Sequence, residues 1–225
     1  MSRKIIFVVC LVSVFVIPGS AFGVFVPGSS ITAQAASQLS SETSPDNSIN
    51  GAGMLTGDYK LTHDNKRSGM WLSAEGGGGS AQNHPFGLDC STWVMYGFDQ
   101  PYQLGLMRVY NYNEWDYTSA GLQDVYIHYS LTGGSDPGEW INLCVIGIKF
   151  TFTQASGRYG DRGKYEADFH GLFTKYVVIT AAVNNGNFGH TNYGLAEVLF
   201  EEVPEPCTIL LLGFGGAIFI HRRRN

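Results

Sequence analysis

Between about Asn50 and Val203 the chain is a succession of short strand-like runs broken by turn signals, with no long amphipathic helical pattern. Val125, Ile127 and Tyr129 alternate with Asp124, Tyr126 and His128, the period of two that sends neighbouring side chains to opposite faces of a sheet. Leu104–Tyr112 is apolar and aromatic with little charge, as a strand in a sandwich core is. Trp93–Phe98, Leu143–Phe152, Tyr176–Thr180 and Leu195–Glu201 complete the expected set. The turns between them are carried by Asp99-Gln100-Pro101, the Gly133–Gly138 run and Asn184-Asn185-Gly186. Strands this short at this spacing predict an all-β antiparallel sandwich or jelly roll. A unit of about 150 residues is long enough to enclose a proper core. A composition of 44% hydrophobic, 13% aromatic and 15% charged residues supplies the side chains for it. The formal charge of −5, with basic residues scattered apart from Arg222, Arg223 and Arg224, argues against nucleic acid as a partner.

Both ends read as addresses. Arg3 and Lys4 precede an apolar run from Ile5 to Ile17, closed by Pro18-Gly19: a positive n-region and an h-region of a secretion signal. Three small-x-small sites offer themselves for cleavage: Gly19-Ser20-Ala21, Ala21-Phe22-Gly23 and, far downstream, Ala33-Gln34-Ala35. Residues 1–35 are therefore assigned to the signal and the start of a lead-in, and the polar residues 36–49 to a linker. At the other end Pro204-Glu205-Pro206 precedes an apolar stretch from Cys207 to Ile220 and then Arg222, Arg223 and Arg224. A helix of about 14 residues spans roughly 21 Å, short of the ~30 Å hydrocarbon core. Residues 203–225 resemble the PEP-CTERM sorting signal. That resemblance implies an exported protein, transiently anchored in the inner membrane and processed by an exosortase-type enzyme, in bacteria that make extracellular polysaccharide.

The central segment, residues 50–202, carries a second resemblance. Trp93, Phe98-Asp99 and Tyr102-Gln103-Leu104 are followed by Met107-Arg108-Val109-Tyr110-Asn111-Tyr112-Asn113. Next comes the run Gly121-Leu122-Gln123-Asp124-Val125-Tyr126-Ile127-His128-Tyr129-Ser130, with Gly133-Gly134 and Trp140 behind it. Lys175-Tyr176-Val177-Val178-Ile179 and the closing run Tyr193–Phe200 complete the series. In this order the runs resemble the discoidin (coagulation-factor C domain) family, whose fold is a galactose-binding-like jelly-roll β-sandwich. The chain departs from the family pattern where Lys175 and Val178 stand in place of arginines. It departs again at the extended turn through Gly138 and in an insertion that includes Gly76–Gly79.

The resemblance implies a structural calcium ion held by an acidic turn and a glutamate of the last strand, here Asp64, Ser68 and Glu197. Calcium takes several oxygen ligands at flexible geometry, which carboxylates, hydroxyls and carbonyls supply. The alternative is a turn capped by Asp64, with Glu197 in a buried hydrogen bond. It also implies a glycan site built from loops at one end of the sandwich. A sugar presents an apolar face and a rim of hydroxyls, so it wants an aromatic platform beside amides, carboxylates or arginine. Asn113, Glu114 and Trp115 offer these where a strand leaves the sheet; Asn187, His190 and Tyr193 offer them before the last strand, and Arg158 lies in a polar loop. The bland alternatives are turn formation by the asparagines and closure of the core's end by Trp115. Trp71, Trp93 and Trp140 read as core.

Cys90 and Cys144 are the only cysteines between the two addresses. Export permits them a disulfide worth about 4 kcal/mol in the chain-entropy picture, and a pair of free thiols is the alternative. No nucleophile-elbow, zincin or phosphate-loop motif occurs. Asp168-Phe169-His170, or a carboxylate pair of Glu114 with Glu166 or Asp168, is the only catalytic option, and glycosidase pairs carry no local signature. The expectation is an exported, non-catalytic module that binds extracellular or cell-surface polysaccharide. The alternative is a structural or protein-interaction component of the envelope or matrix.

Overall fold

The protein is described by a computed structural model over residues 24–57, 60–145 and 147–203. The h-region and the sorting motif (Pro204, Glu205, Pro206, Arg222, Arg223 and Arg224) lie outside the described residues. No helix among the described residues is long and apolar enough to cross a membrane.

Among the described residues eleven strands carry the fold: β1 (Val24–Phe25), β2 (Ile31–Ala35), β3 (Met54–Gly57), β4 (Lys60–His63), β5 (Trp71–Leu72), β6 (Thr92–Asn111), β7 (Asp124–Ser130), β8 (Ile141–Asn142), β9 (Phe150–Thr151), β10 (Lys164–Ala181) and β11 (Gly194–Glu202). Every pairing between them is antiparallel. β6 and β10 are long enough to serve two layers. The first half of β6 pairs with β2 and with Tyr176–Ala181 of β10, which in turn pairs with β7. The second half pairs with Lys164–Thr174 of β10 and with β11, which carries β1 and β5.

The bend between the layers has local causes. Pro101 gives β6 no ladder N–H. Opposite it, β10 shifts register between Thr174 and Tyr176, and again opposite Gly105, between Asp168 and Leu172, where His170 (φ 53°) and Gly171 (φ 75°) adopt left-handed backbone. Bulges of this kind turn one strand from sheet to sheet.

Alternation decides what each layer buries. Val94, Tyr96 and Phe98 of one layer face Phe169, Val198 and Phe200 of the other in the main core. Tyr96 and Phe200 meet edge to face with centroids 5.4 Å apart, and Phe98 and Phe200 at 5.2 Å. Fully burying each such side chain contributes about 1.5–3 kcal/mol. The outer faces are covered as well. Trp93 and Val178 pack under Phe86, Cys90 and Trp140, so the Gly76–Gly79 insertion leads into a lid over that layer. Tyr110, Tyr112 and Ala196 pack under Met70 and Leu72, with Met54 and Leu61 of the β3–β4 pair beside them.

The all-β sandwich is the fold expected, and Trp71, Trp93 and Trp140 are buried. Three expectations change. The strands around Trp93–Phe98 and Leu104–Tyr112 are one bent strand, because Asp99-Gln100-Pro101 turns the sheet without breaking it. Of Leu143–Phe152 only Phe150–Thr151 pairs. The folded unit also begins well before residue 50. β1 pairs with β11 and β2 with β6, and the short 3-10 turn at Pro45–Ser48 sends the Ser48 hydroxyl to Tyr96 Oη at 3.1 Å. The polar composition of this segment hid β2, whose solvent-facing positions are Thr32 and Gln34.

Candidate functional site

Four segments converge where β6 ends and β7 and β11 begin: the turn 63–69 and the loops 113–120, 153–163 and 182–193. Isolated bridges join Leu122 to Asn187 and Gly121 to Gly194. The Phe188 N–H donates to Ser119 O at 3.1 Å. Gln154 Nε2 donates to Thr118 Oγ1, also at 3.1 Å.

Asn113 is the pin of this assembly rather than part of its surface. It is fully buried, and its Nδ2 donates to Asp64 O (2.9 Å) and Arg158 O (2.8 Å). Its Oδ1 accepts the Gly157 N–H at 2.8 Å. A side-chain amide has two N–H donors and one oxygen, and here each is engaged. Asn187 plays the same part in its own loop: Nδ2 donates to the carbonyls of His190 and Asn192, and Oδ1 accepts the Gly189 N–H. Both residues, expected to touch a ligand, spend their side-chain amides on loop backbone.

The groups left outward form a ridge. Trp115 is 61% exposed, and Tyr117 and, in the loop 153–163, Tyr159 are exposed as well. Glu114 clamps the loop beneath Trp115. Both its oxygens accept from Arg67 Nε (3.1 and 2.9 Å), and Oε2 also accepts the Tyr112 hydroxyl at 2.7 Å. The hydrogen bond to Glu114 raises the Arg67 pKa further. Burial, reinforced by Glu114, pushes the Tyr112 hydroxyl upward, so it stays a donor. The Arg67 guanidinium lies 5.2 Å from the Tyr117 ring centroid, a cation–π contact. Tyr117 meets His190 edge to face at 5.7 Å, which brings the two sequence clusters together. His190 Nδ1 accepts the Asn192 N–H at 3.0 Å, leaving Nε2 as the ring's outward group. Arg158 is exposed, and its guanidinium has no hydrogen bond or ion pair among the described residues.

Beside the ridge runs a groove of about 480 Å³, lined by Gln123, Gln154, Asn185, Phe188 and Tyr193 among others. Sequence reasoning had singled out Tyr193 but missed Gln123, Gln154 and the clamp by Arg67. Arg67 lies 47 residues from Glu114, and no local pattern announces such a pairing.

The residues expected to hold calcium are distributed as follows. Glu197 is 1% exposed; Oε1 accepts the Gly51 N–H at 3.2 Å, while Oε2 is buried with no hydrogen-bond partner among the described residues. Burial pushes its carboxyl up to about 8. That orphaned oxygen fits a cation. The rest of the set fits less well. Asp64 Oδ1 accepts the Lys66 N–H at 3.1 Å, and Ser68 is exposed with its carbonyl accepting from Asn47 Nδ2. The His63 ring already engages the carbonyls of Asp64 (Nδ1, 2.8 Å) and Ala52 (Nε2, 2.9 Å).

Cys90 and Cys144 are free thiols rather than a disulfide. Cys90 is buried under the lid, which raises its thiol to about 11. Cys144 follows β8, its N–H held by Asn142 Oδ1 at 3.0 Å. Of the carboxylates considered for catalysis, Glu166 accepts the Thr153 N–H, and Asp168 stays with its sequence neighbour at the bend of β10: Oδ1 accepts the His170 N–H at 2.7 Å and Oδ2 lies 3.2 Å from His170 Nδ1, both side chains exposed.

No protein-family model matches the chain, and none of the curated proteins matches it in sequence. Among solved structures it is similar to a CBM32-3 module from a family 31 glycoside hydrolase of Clostridium perfringens, at 14% identity and TM-score 0.49, covering 80% of this chain and 95% of that one. It is similar to the family 32 CBM of C. perfringens NanJ in complex with galactose, at 13% and 0.47, covering 80% and 100%. An F5/8 type C domain from Bacteroides fragilis aligns at 17% and 0.46, covering 79% and 95%.

Proposed function

We propose that the protein is an exported, non-catalytic carbohydrate-binding module that takes polysaccharide at the loop end of the sandwich. The observation that carries the reading is Trp115: a large indole held 61% exposed on a loop clamped from below. An isolated exposed aromatic needs no explanation. One braced by a carboxylate whose two oxygens share the Arg67 Nε–H, and flanked by Tyr117, His190 and Arg158, is preorganised, and preorganisation lowers the entropic cost of binding. The indole face suits the apolar face of a pyranose ring. His190 Nε2, the Arg158 fork and the amides of Gln123 and Gln154 suit its hydroxyls.

Export and sorting belong to the same reading, through the n- and h-regions and the Pro204-Glu205-Pro206 tail with Arg222, Arg223 and Arg224. An exosortase-type enzyme is the partner that tail implies, with the mature module left at the outer surface or in the matrix. Calcium, where bound, would take Oε2 of Glu197 and the Asp64 carboxylate, with Ser68 at the turn, and would favour the ionised form of the Glu197 carboxyl.

Affinity electrophoresis tests the reading. The full chain is run through gels containing soluble neutral polysaccharides, with and without a chelator. Retardation by one polysaccharide, relieved by Trp115→Ala, supports it. Unretarded migration of the folded chain in every gel, together with recovery of envelope proteins in pull-downs, would replace it with a structural or protein-interaction role.

A further inference from the structure

A second groove, of about 400 Å³, lies on the outer face of β7, outside the loop-end ridge. Its volume falls in the range of small-ligand sites, roughly 300–1,000 Å³. The alternation of β7 builds its floor: Val125 and Ile127 point into the main core, so Tyr126 and His128 point out. One wall is Asp89 from the lid, the other Asn142 of β8. The groove meets the loop-end groove at Val183, which lines both and is 59% exposed; Asn184 stands on one side of it and Asn185 on the other.

The polar groups on this second floor are unsatisfied in a particular way. His128 Nδ1 is buried and has no hydrogen-bond partner among the described residues. Burial lowers the His128 ring to about 4, so it is neutral and can accept as well as donate. The Tyr126 hydroxyl, the Asp89 carboxylate, the Asn184 amide and the Asn142 Nδ2 have no side-chain partner among the described residues, and Asn142 uses only its oxygen, toward the Cys144 N–H. Lys149, the cation at the rim, is matched to Asp124 at 3.1 Å. An aromatic ring beside planar amides, with the positive charge compensated and a carboxylate left over, suits a neutral, hydroxyl-rich ligand and disfavours an anionic one.

We propose that this groove is a second saccharide subsite, so that the protein grips an internal stretch of a neutral polysaccharide running from the loop end over Val183 onto the face of β7. The inference rests on the carbohydrate reading of the loop end and specifies it. A module that reads one terminal sugar needs only the first groove; a module with both gains affinity with each unit until the second groove is filled.

The test is calorimetric titration of the full chain with neutral oligosaccharides of one to six units from galactan, cellulose, chitin and mannan. In the series that binds, Kd is expected to fall by at least about tenfold between the disaccharide and the pentasaccharide. Tyr126→Ala and, independently, the exposed-loop substitution Asn184→Ala should erase that gain and leave binding of the mono- and disaccharide unchanged. A Kd that stays flat with length, or a gain that survives both substitutions, overturns the second subsite and leaves the loop-end site standing. No binding at any length in any series overturns both.

Discussion

Asn113 and Trp115 are two residues apart and were both expected to touch a ligand, yet the first is fully buried and the second 61% exposed. Asn113 closes three hydrogen bonds that fasten Asp64, Gly157 and Arg158 to the end of β6. Asn113→Ala strands buried backbone groups, each costing about 1–3 kcal/mol. The variant should lose stability on that scale in denaturant titration, with sugar binding lost as a consequence of loosened loops. Trp115→Ala should leave the denaturation midpoint unchanged, because the indole is mostly in water, and should weaken binding by about tenfold or more, or about 1.4 kcal/mol. The same pair shows how much of the site was legible in the sequence. Residue types suited to a sugar were visible in both clusters, and the fold brings the clusters together through Tyr117 and His190. Which asparagine faces a ligand and which is consumed by backbone was not visible, since that depends on carbonyls from Asp64 and Arg158, distant in the chain.

The strands show the same division. β7 and β11 announce themselves by alternation and a buried apolar run, because their patterns are local. β1 and β2 do not: Ile31–Ala35 contributes one buried apolar residue, and its place is set by pairing with residues 94–98, about sixty positions away. Their presence in the sheet constrains processing. Cleavage after Ala35 would remove two strands and uncover the edge of β6, whereas cleavage at Ala21 or Gly23 leaves both in place. N-terminal sequencing of the exported protein is expected to find a terminus no later than Val24. A chain shortened to begin at residue 36 should be insoluble or lack a cooperative transition, and a cooperative one with native stability would contradict the pairing.

Three buried titratable groups shape the stability of the molecule as a whole. Glu197 is raised to about 8 by burial, so between the usual carboxyl range and pH 8 the folded state keeps a proton that the unfolded state releases, and stability falls as pH rises. His84 and His128 are lowered to about 4 by burial, so below about 6.5 the unfolded state binds protons that the folded state refuses, and stability falls as pH drops. Only Glu197 acts above 6.5, and the two histidines outweigh it below. Thermal midpoints should therefore peak near pH 6–7. Glu197→Gln should flatten the alkaline limb, and added calcium should flatten it too if the ion uses the orphaned Oε2. The proposal that the loop end is a carbohydrate site is tested most directly by a glycan array probed with the full chain and with Trp115→Ala side by side. The account predicts a confined set of neutral glycans bound by the native chain and lost in the variant at unchanged thermal midpoint; an array blank for the folded native chain, or signals indifferent to Trp115, would contradict it.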